Sequence, residues 1–151
     1  MSLQYVKGSY MDEIMFGDKP VLFTLEGLDE KDHDEAVRYS KEIWDWILQH
    51  HARVLAHAPL IANFKNKKWR SDGEREISAD EIRGYLNQIN SVYVNYKGGF
   101  DIFFDTNELF QERSIVVRVG RNFVFESMEC DRKVPGISGS GKKIKTFLKK
   151  L

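Results

Sequence analysis

Cysteine is nearly absent from this chain. The single residue, Cys130, excludes an internal disulfide framework and fits a reducing compartment. Proline is also scarce, at three residues, so strands and helices are interrupted at few points. Neither sign of charge dominates: 23 Lys and Arg face 23 Asp and Glu, which argues against a surface given over wholly to nucleic acid. No apolar run approaches the roughly 20 residues needed to span a bilayer. Met1 to Tyr5 lacks the charged and apolar regions of a secretory signal. These absences imply a cytoplasmic domain without staples. Its 151 residues suffice for one core, burying roughly 70 % of the surface that the unfolded chain exposes.

The densest pattern runs from Phe100 to Val119. Phe100, Ile102 and Phe104 alternate with Asp101, Phe103 and Asp105, and Ile115, Val117 and Val119 alternate with Val116 and Arg118. This is the period of pleated strands, and apolar residues on both faces predict an interior hairpin. Upstream, Leu3–Val6, Ile14–Phe16 and Val21–Leu25 are β-favouring pieces broken by Gly8, Gly17, Asp18 and Pro20, which predicts two or three antiparallel strands.

Acidic residues from Asp29 to Asp34 suit the positive end of a helix. Ala36, Val37, Ile43, Trp44, Ile47, Leu48, Val54 and Leu55 then recur at helical spacing, with Trp44, Ile47 and Leu48 expected against the sheet. Pro59 predicts a break or kink, followed by a second helical segment through Phe64 that Lys65 to Arg70 finish with positive charge. Ser78-Ala-Asp-Glu81 is a capping box opening a short helix that ends near Asn90. Val92–Tyr96, Phe100–Asp105, Ser114–Val119 and Phe123–Met128 read as four consecutive strands, with turns at Lys97-Gly98-Gly99 and Gly120-Arg121-Asn122.

The whole is a single α+β domain over 1–135. An antiparallel sheet of about six or seven strands packs on one long helix, broken or kinked at Pro59, and on one short helix. Residues 136–151 read as a Gly/Ser linker and a basic amphipathic tail.

Leu60-Ile61-Ala62-Asn63 with Trp69, the stretch Ile77 to Ile82, and Ile102-Phe103-Phe104-Asp105 with Glu108-Leu109-Phe110 and Ser114-Ile115-Val116-Val117 carry a likeness to a known family. In their order the chain resembles an uncharacterised bacterial family, domain of unknown function twenty-two sixty-two, from the second half of the long helix to the last hairpin. Where that family has a Trp-Gly-His-Ser-Ile run, this chain has Gln111-Glu112-Arg113-Ser114-Ile115, so the family's histidine is replaced by Arg113. The resemblance implies a fold and no activity.

Motifs that could carry chemistry are incomplete. Gly136 to Lys142 begins like a phosphate-binding loop, but Lys143 stands where the metal-binding hydroxyl belongs, and ten residues follow the last glycine, too few for the remaining parallel sheet. Asp101, Asp105, Glu108 and Glu112 gather carboxylates in one hairpin, yet Asp101 and Asp105 lie about 13 Å apart along a strand. No twelve-residue calcium loop surrounds them. His33, His50, His51 and His57 include no pair at helical i, i+4 spacing, and Cys130 has no histidine nearby. No catalytic residue, metal or cofactor is assigned.

Three classes of function remain. The first is a non-catalytic protein-interaction domain of the immunity or accessory kind, presenting Asp105, Glu108, Leu109, Phe110 and Arg113 to another protein. The second is a small hydrolase-like enzyme with Asp105, Glu108 and Arg113 in an acidic cleft between sheet and helix. The third is an adaptor whose tail, with Ile144, Phe147, Leu148 and Leu151 opposite five lysines, meets a partner groove, an anionic membrane or nucleic acid.

Overall fold

The computed structural model describes residues 1–106, 109–111, 113–132 and 142–143. Alternation in the first 27 positions becomes a meander of β1 (Gln4–Val6), β2 (Ser9–Phe16) and β3 (Lys19–Glu26), paired antiparallel. Three helices follow: α1 (His33–Leu55), α2 (Ala58–Lys68) and α3 (Ala79–Leu86). The chain then returns as β4 (Ile89–Asn95), β5 (Gly99–Phe104), β6 (Arg113–Gly120) and β7 (Val124–Arg132), with the two-residue β8 (Lys142–Lys143) beyond. The sheet order is the chain order, β1 to β8, and β5 and β6 are interior as their two-faced apolar pattern requires.

The expected α+β domain is present, and the sheet expected to be antiparallel is mostly so. One pair differs: β3 and β4 run parallel, Leu22 opposite Ser91 through Glu26 opposite Asn95. The reason is the connection between them. A hairpin turn forces antiparallel neighbours, whereas a crossover carrying three helices brings the chain back in its original direction. The short helix also stops at Leu86 rather than near Asn90, because β4 already begins at Ile89.

Side chains of one face meet the helices: Val21, Phe23 and Leu25 of β3, Val92 and Val94 of β4, Phe100, Ile102 and Phe104 of β5, Ile115, Val117 and Val119 of β6, and Met128 and Cys130 of β7. Against them α1 buries Ala36, Ser40, Ile43, Trp44, Ile47 and Val54, each large apolar side chain contributing about 1.5–3 kcal/mol. Leu48, expected in this set, is 46 % exposed, because it sits about 100° around the helix from Ile47.

The break at Pro59 is observed, with Ala56 and His57 between α1 and α2 and the proline in the first turn of α2, where its missing N–H costs nothing. Lys65 is not part of a solvated basic end. It is 3 % exposed, and its Nζ donates to the Trp69 carbonyl (2.6 Å) and to Glu74 (2.8 Å), fastening the loop after α2. Ser78 and Glu81 form the expected reciprocal cap at α3, worth about 1 kcal/mol.

Candidate functional site

On α1 the residues Tyr39, Trp46 and His50, separated by seven and four positions, share a stripe beside the core stripe. That stripe faces the end of the sheet where the β4–β5 and β6–β7 turns lie. Trp46 stacks on His50 (ring centroids 4.0 Å) and on Phe123 (5.9 Å), meets Phe100 edge-on (5.4 Å) and touches Phe125 (5.1 Å). His50 is fixed there because its Nδ1 lies 2.8 Å from the Trp46 carbonyl. The indole and Phe123 remain only half-buried.

The turns that complete this cluster have demanding backbones. Gly99 has φ +105, and a methyl group there would lie 2.5 Å from the Val119 carbonyl oxygen, so only glycine lets β5 and β6 close. Asn122 and Phe123 both hold left-handed φ, 59° and 58°. A bulky aromatic in that region costs about 1–3 kcal/mol, and such residues gather where function requires them.

Phe123 is the wall between two concavities. One, of about 480 Å³, is lined by Trp46, Phe123, Gln49 and the charged residues Arg38, Lys41, Glu42 and Asp45 of α1. The other, of about 240 Å³, has an apolar floor of Phe100, Phe123 and Tyr39, with Lys97 and Arg121 at its rim. The Tyr39 hydroxyl accepts from the Lys97 backbone N–H (3.0 Å), which holds the β4–β5 turn against α1. Nearby, Arg38 and Tyr96 both bond Glu35, with Arg38 Nε at 2.5 Å.

These bonds set an acid dependence. Hydrogen bonding from Arg38 first, then from Tyr96, lowers the Glu35 carboxyl from the usual 4.5 to about 2. Arg75 does the same for Glu81, also to about 2. Both folded values lie below the unfolded one, so their stabilisation is present above pH 4.5 and is lost as pH falls from there towards about 2. Thermal denaturation between pH 6 and pH 2 should therefore show a falling midpoint across that window. Arg38→Gln and Arg75→Gln together should make that fall shallower; an unchanged slope would remove these pairs from the acid response.

The sheet face opposite the helices carries a charge cluster. Arg118 donates through Nη1 to Asp101 (2.7 Å), through Nε to Glu129 (2.8 Å) and through Nη2 to Asp131 (2.6 Å). Asp101 stands directly across the β5–β6 ladder, and Glu129 and Asp131 follow along β7. Burial raises the Asp101 pKa above its ordinary value, and the Arg118 charge opposes that rise. Among the described residues no group of three or more His, Cys, Asp or Glu is arranged to hold a metal ion.

The described residues that the sequence pointed to do not form one surface. Phe110 is fully buried, with its ring against Phe64 (6.3 Å) and Trp69 (5.9 Å), and Leu109 packs half-buried on the same core. The guanidinium of Arg113 lies 5.9 Å over the Trp69 ring. Asp105 is exposed beyond β5, and Glu108 and Glu112 lie outside the described residues. The Leu-Phe pair is thus a plug that joins α2 to β6, because apolar side chains in a short connection bury when a neighbouring helix offers aromatic surface. Ile144, Phe147, Leu148 and Leu151 and the Gly136–Gly141 stretch also lie outside the described residues; Lys142 and Lys143 pair with Cys130 and Glu129 of β7.

Sequence reasoning missed Trp46, Tyr39 and Phe123. Their signal was a second aromatic stripe on α1 and an aromatic directly after the Gly120-Arg121-Asn122 turn. Among the described residues no helix is long and apolar enough to cross a membrane. No protein-family model, curated protein or solved structure matches this chain.

Proposed function

We propose that this is a non-catalytic protein-binding domain of the bacterial cytoplasm, of the accessory or immunity kind, whose contact surface is the groove around Trp46 and Phe123. Kinship with the family of domain twenty-two sixty-two is part of the same reading. The observation that carries it is the half-buried indole of Trp46, held by four neighbouring rings and bordered by charged residues. Partly exposed aromatics inside a polar rim are the anatomy of a protein–protein hot spot. The rim of the smaller cavity, Lys97 and Arg121, favours a partner that brings an apolar anchor flanked by acid.

The enzyme reading has less support, since the Arg113 guanidinium lies over the Trp69 ring and Phe110 is buried in the core. The tail-adaptor reading concerns residues outside those described.

Phe123→Gly tests the proposal cleanly. Glycine accepts φ near 58° without strain, so relief of the backbone offsets part of the lost ring packing. Capture of a host partner should weaken by about 30-fold, the hot-spot scale of about 2 kcal/mol, while circular dichroism stays that of the parent. A variant that keeps both its fold and its partner at parental affinity would sink the groove assignment.

A further inference from the structure

The opposite border of the sheet carries a second, separate feature. β1 pairs with β2 only at Ser9, Tyr10 and Met11, whereas β3 pairs with β2 from Tyr10 to Phe16. The outer side of Asp12 to Phe16 therefore has no partner strand among the described residues; Met1 and Ser2 lie beside its first part, where the Ser2 N–H donates to the Asp12 carboxylate (2.8 Å). Edges of this length are ordinarily blunted by a proline, a bulge or a covering element. Here β2 has no proline, and its register with β3 runs without a shift.

A concavity of about 400 Å³ lies beside this edge, between β2 and α1, lined by Asp12, Ile14, Met15, Trp44 and Asp45 among others. On the helix side it is lined by Trp44, edge-on to Phe16 (6.1 Å), with Lys41 and Asp45 beside it. Three acids line it, Asp12, Glu13 and Asp45, against one lysine, Lys41. On the other face of the same edge Met15 is 58 % exposed, beside Leu22 at 44 %.

We propose that the outer edge of β2 from Asp12 to Phe16 is a strand-addition site for an extended segment of a partner protein in which basic and apolar side chains alternate. The open backbone groups supply the ladder. Successive side chains of an added strand point to opposite faces. Those on the helix side would lay an aliphatic stem over Ile14 and Trp44 and carry a cation to Asp12 and Asp45. Those on the other side would cover Met15 and Leu22. The edge lies across α1 from Trp46 and Phe123, and Lys41 and Asp45 of α1 border both sites, so the two are told apart at Asp12 and at Arg121.

The test uses the full chain, uniformly ¹⁵N-labelled, titrated with a short capped peptide alternating lysine and valine and, separately, with one alternating glutamate and valine. The lysine peptide should shift the amides of Asp12 to Phe16, slow their hydrogen exchange and bind at least about ten-fold more tightly than the glutamate peptide. Asp12→Lys, at a position that borders this concavity and not the Trp46 groove, should weaken it by about ten-fold. Arg121→Glu, in the other groove, should leave it unchanged. Equal affinity for the two peptides, no binding by either, shifts centred on Trp46 and Phe123, or β2 protection that grows with protein concentration and needs no peptide would each overturn the assignment.

Discussion

Arg118→Met should destabilise the domain by about 3–5 kcal/mol at neutral pH, the cost of removing one partner from buried ionic groups. The guanidinium side chain is 17 % exposed and its carboxylate partners are 18 %, 6 % and 3 % exposed, so water screens little of the loss. An exposed pair would cost about 0–1 kcal/mol. The pH dependence provides a second readout. Asp101 already has a raised pKa with Arg118 in place, and burial is the cause; deleting the cation removes what opposes it. The folded variant then binds a proton that the unfolded chain releases, so its stability falls as pH rises and recovers as pH is lowered from 7 towards 5. Urea denaturation at the two pH values measures this directly, and Asp101→Asn in the Arg118→Met background should recover part of the loss at pH 7. A loss under about 1 kcal/mol, or a variant no better at pH 5, would mean the cluster is solvated.

Phe110→Ala comes next, at about 3–5 kcal/mol, because truncating a fully buried phenylalanine leaves a cavity that its neighbours fill only in part. Those neighbours are Phe64 of α2 and Trp69, over which Arg113 also lies, so the lesion reaches across three segments at once. At this chain length the thermal midpoint should drop by about 6–20 °C. Phe110→Leu should recover most of it. The contrast with a contact residue is large: an exposed phenylalanine in an acidic loop would change stability by about 0.5 kcal/mol or less. A midpoint within a few degrees of the parent would return Phe110 to the surface.

The parts legible in the sequence are those set by local physics. Ser78 and Glu81 cap α3 because both satisfy backbone groups three residues apart, a distance a reader can count. The core stripe of α1 and the β5–β6 hairpin follow from periods of 3.6 and 2. Leu48 fell out because a helical stripe has margins, and its position lies past one of them. The parallel β3–β4 pair was hidden because alternation gives a strand's faces but not its direction.

The candidate site was less legible. Arg118 and Asp101 are 17 residues apart and meet only through register. Trp46 and Phe123 come from α1 and from the turn before β7, and their contact depends on how α1 is set across the sheet. Leu109 and Phe110 misled for a related reason. An acidic connection reads as exposed until Trp69 and Phe64 of another segment come to lie beside it.

Backbone and indole chemical-shift mapping of ¹⁵N-labelled protein with its captured partner tests the groove most directly. The Trp46 indole N–H and the amides of Arg121, Asn122 and Phe123 should shift most. Shifts centred instead on Asp105, Leu109 and Arg113, with the Trp46 indole unmoved, would contradict it.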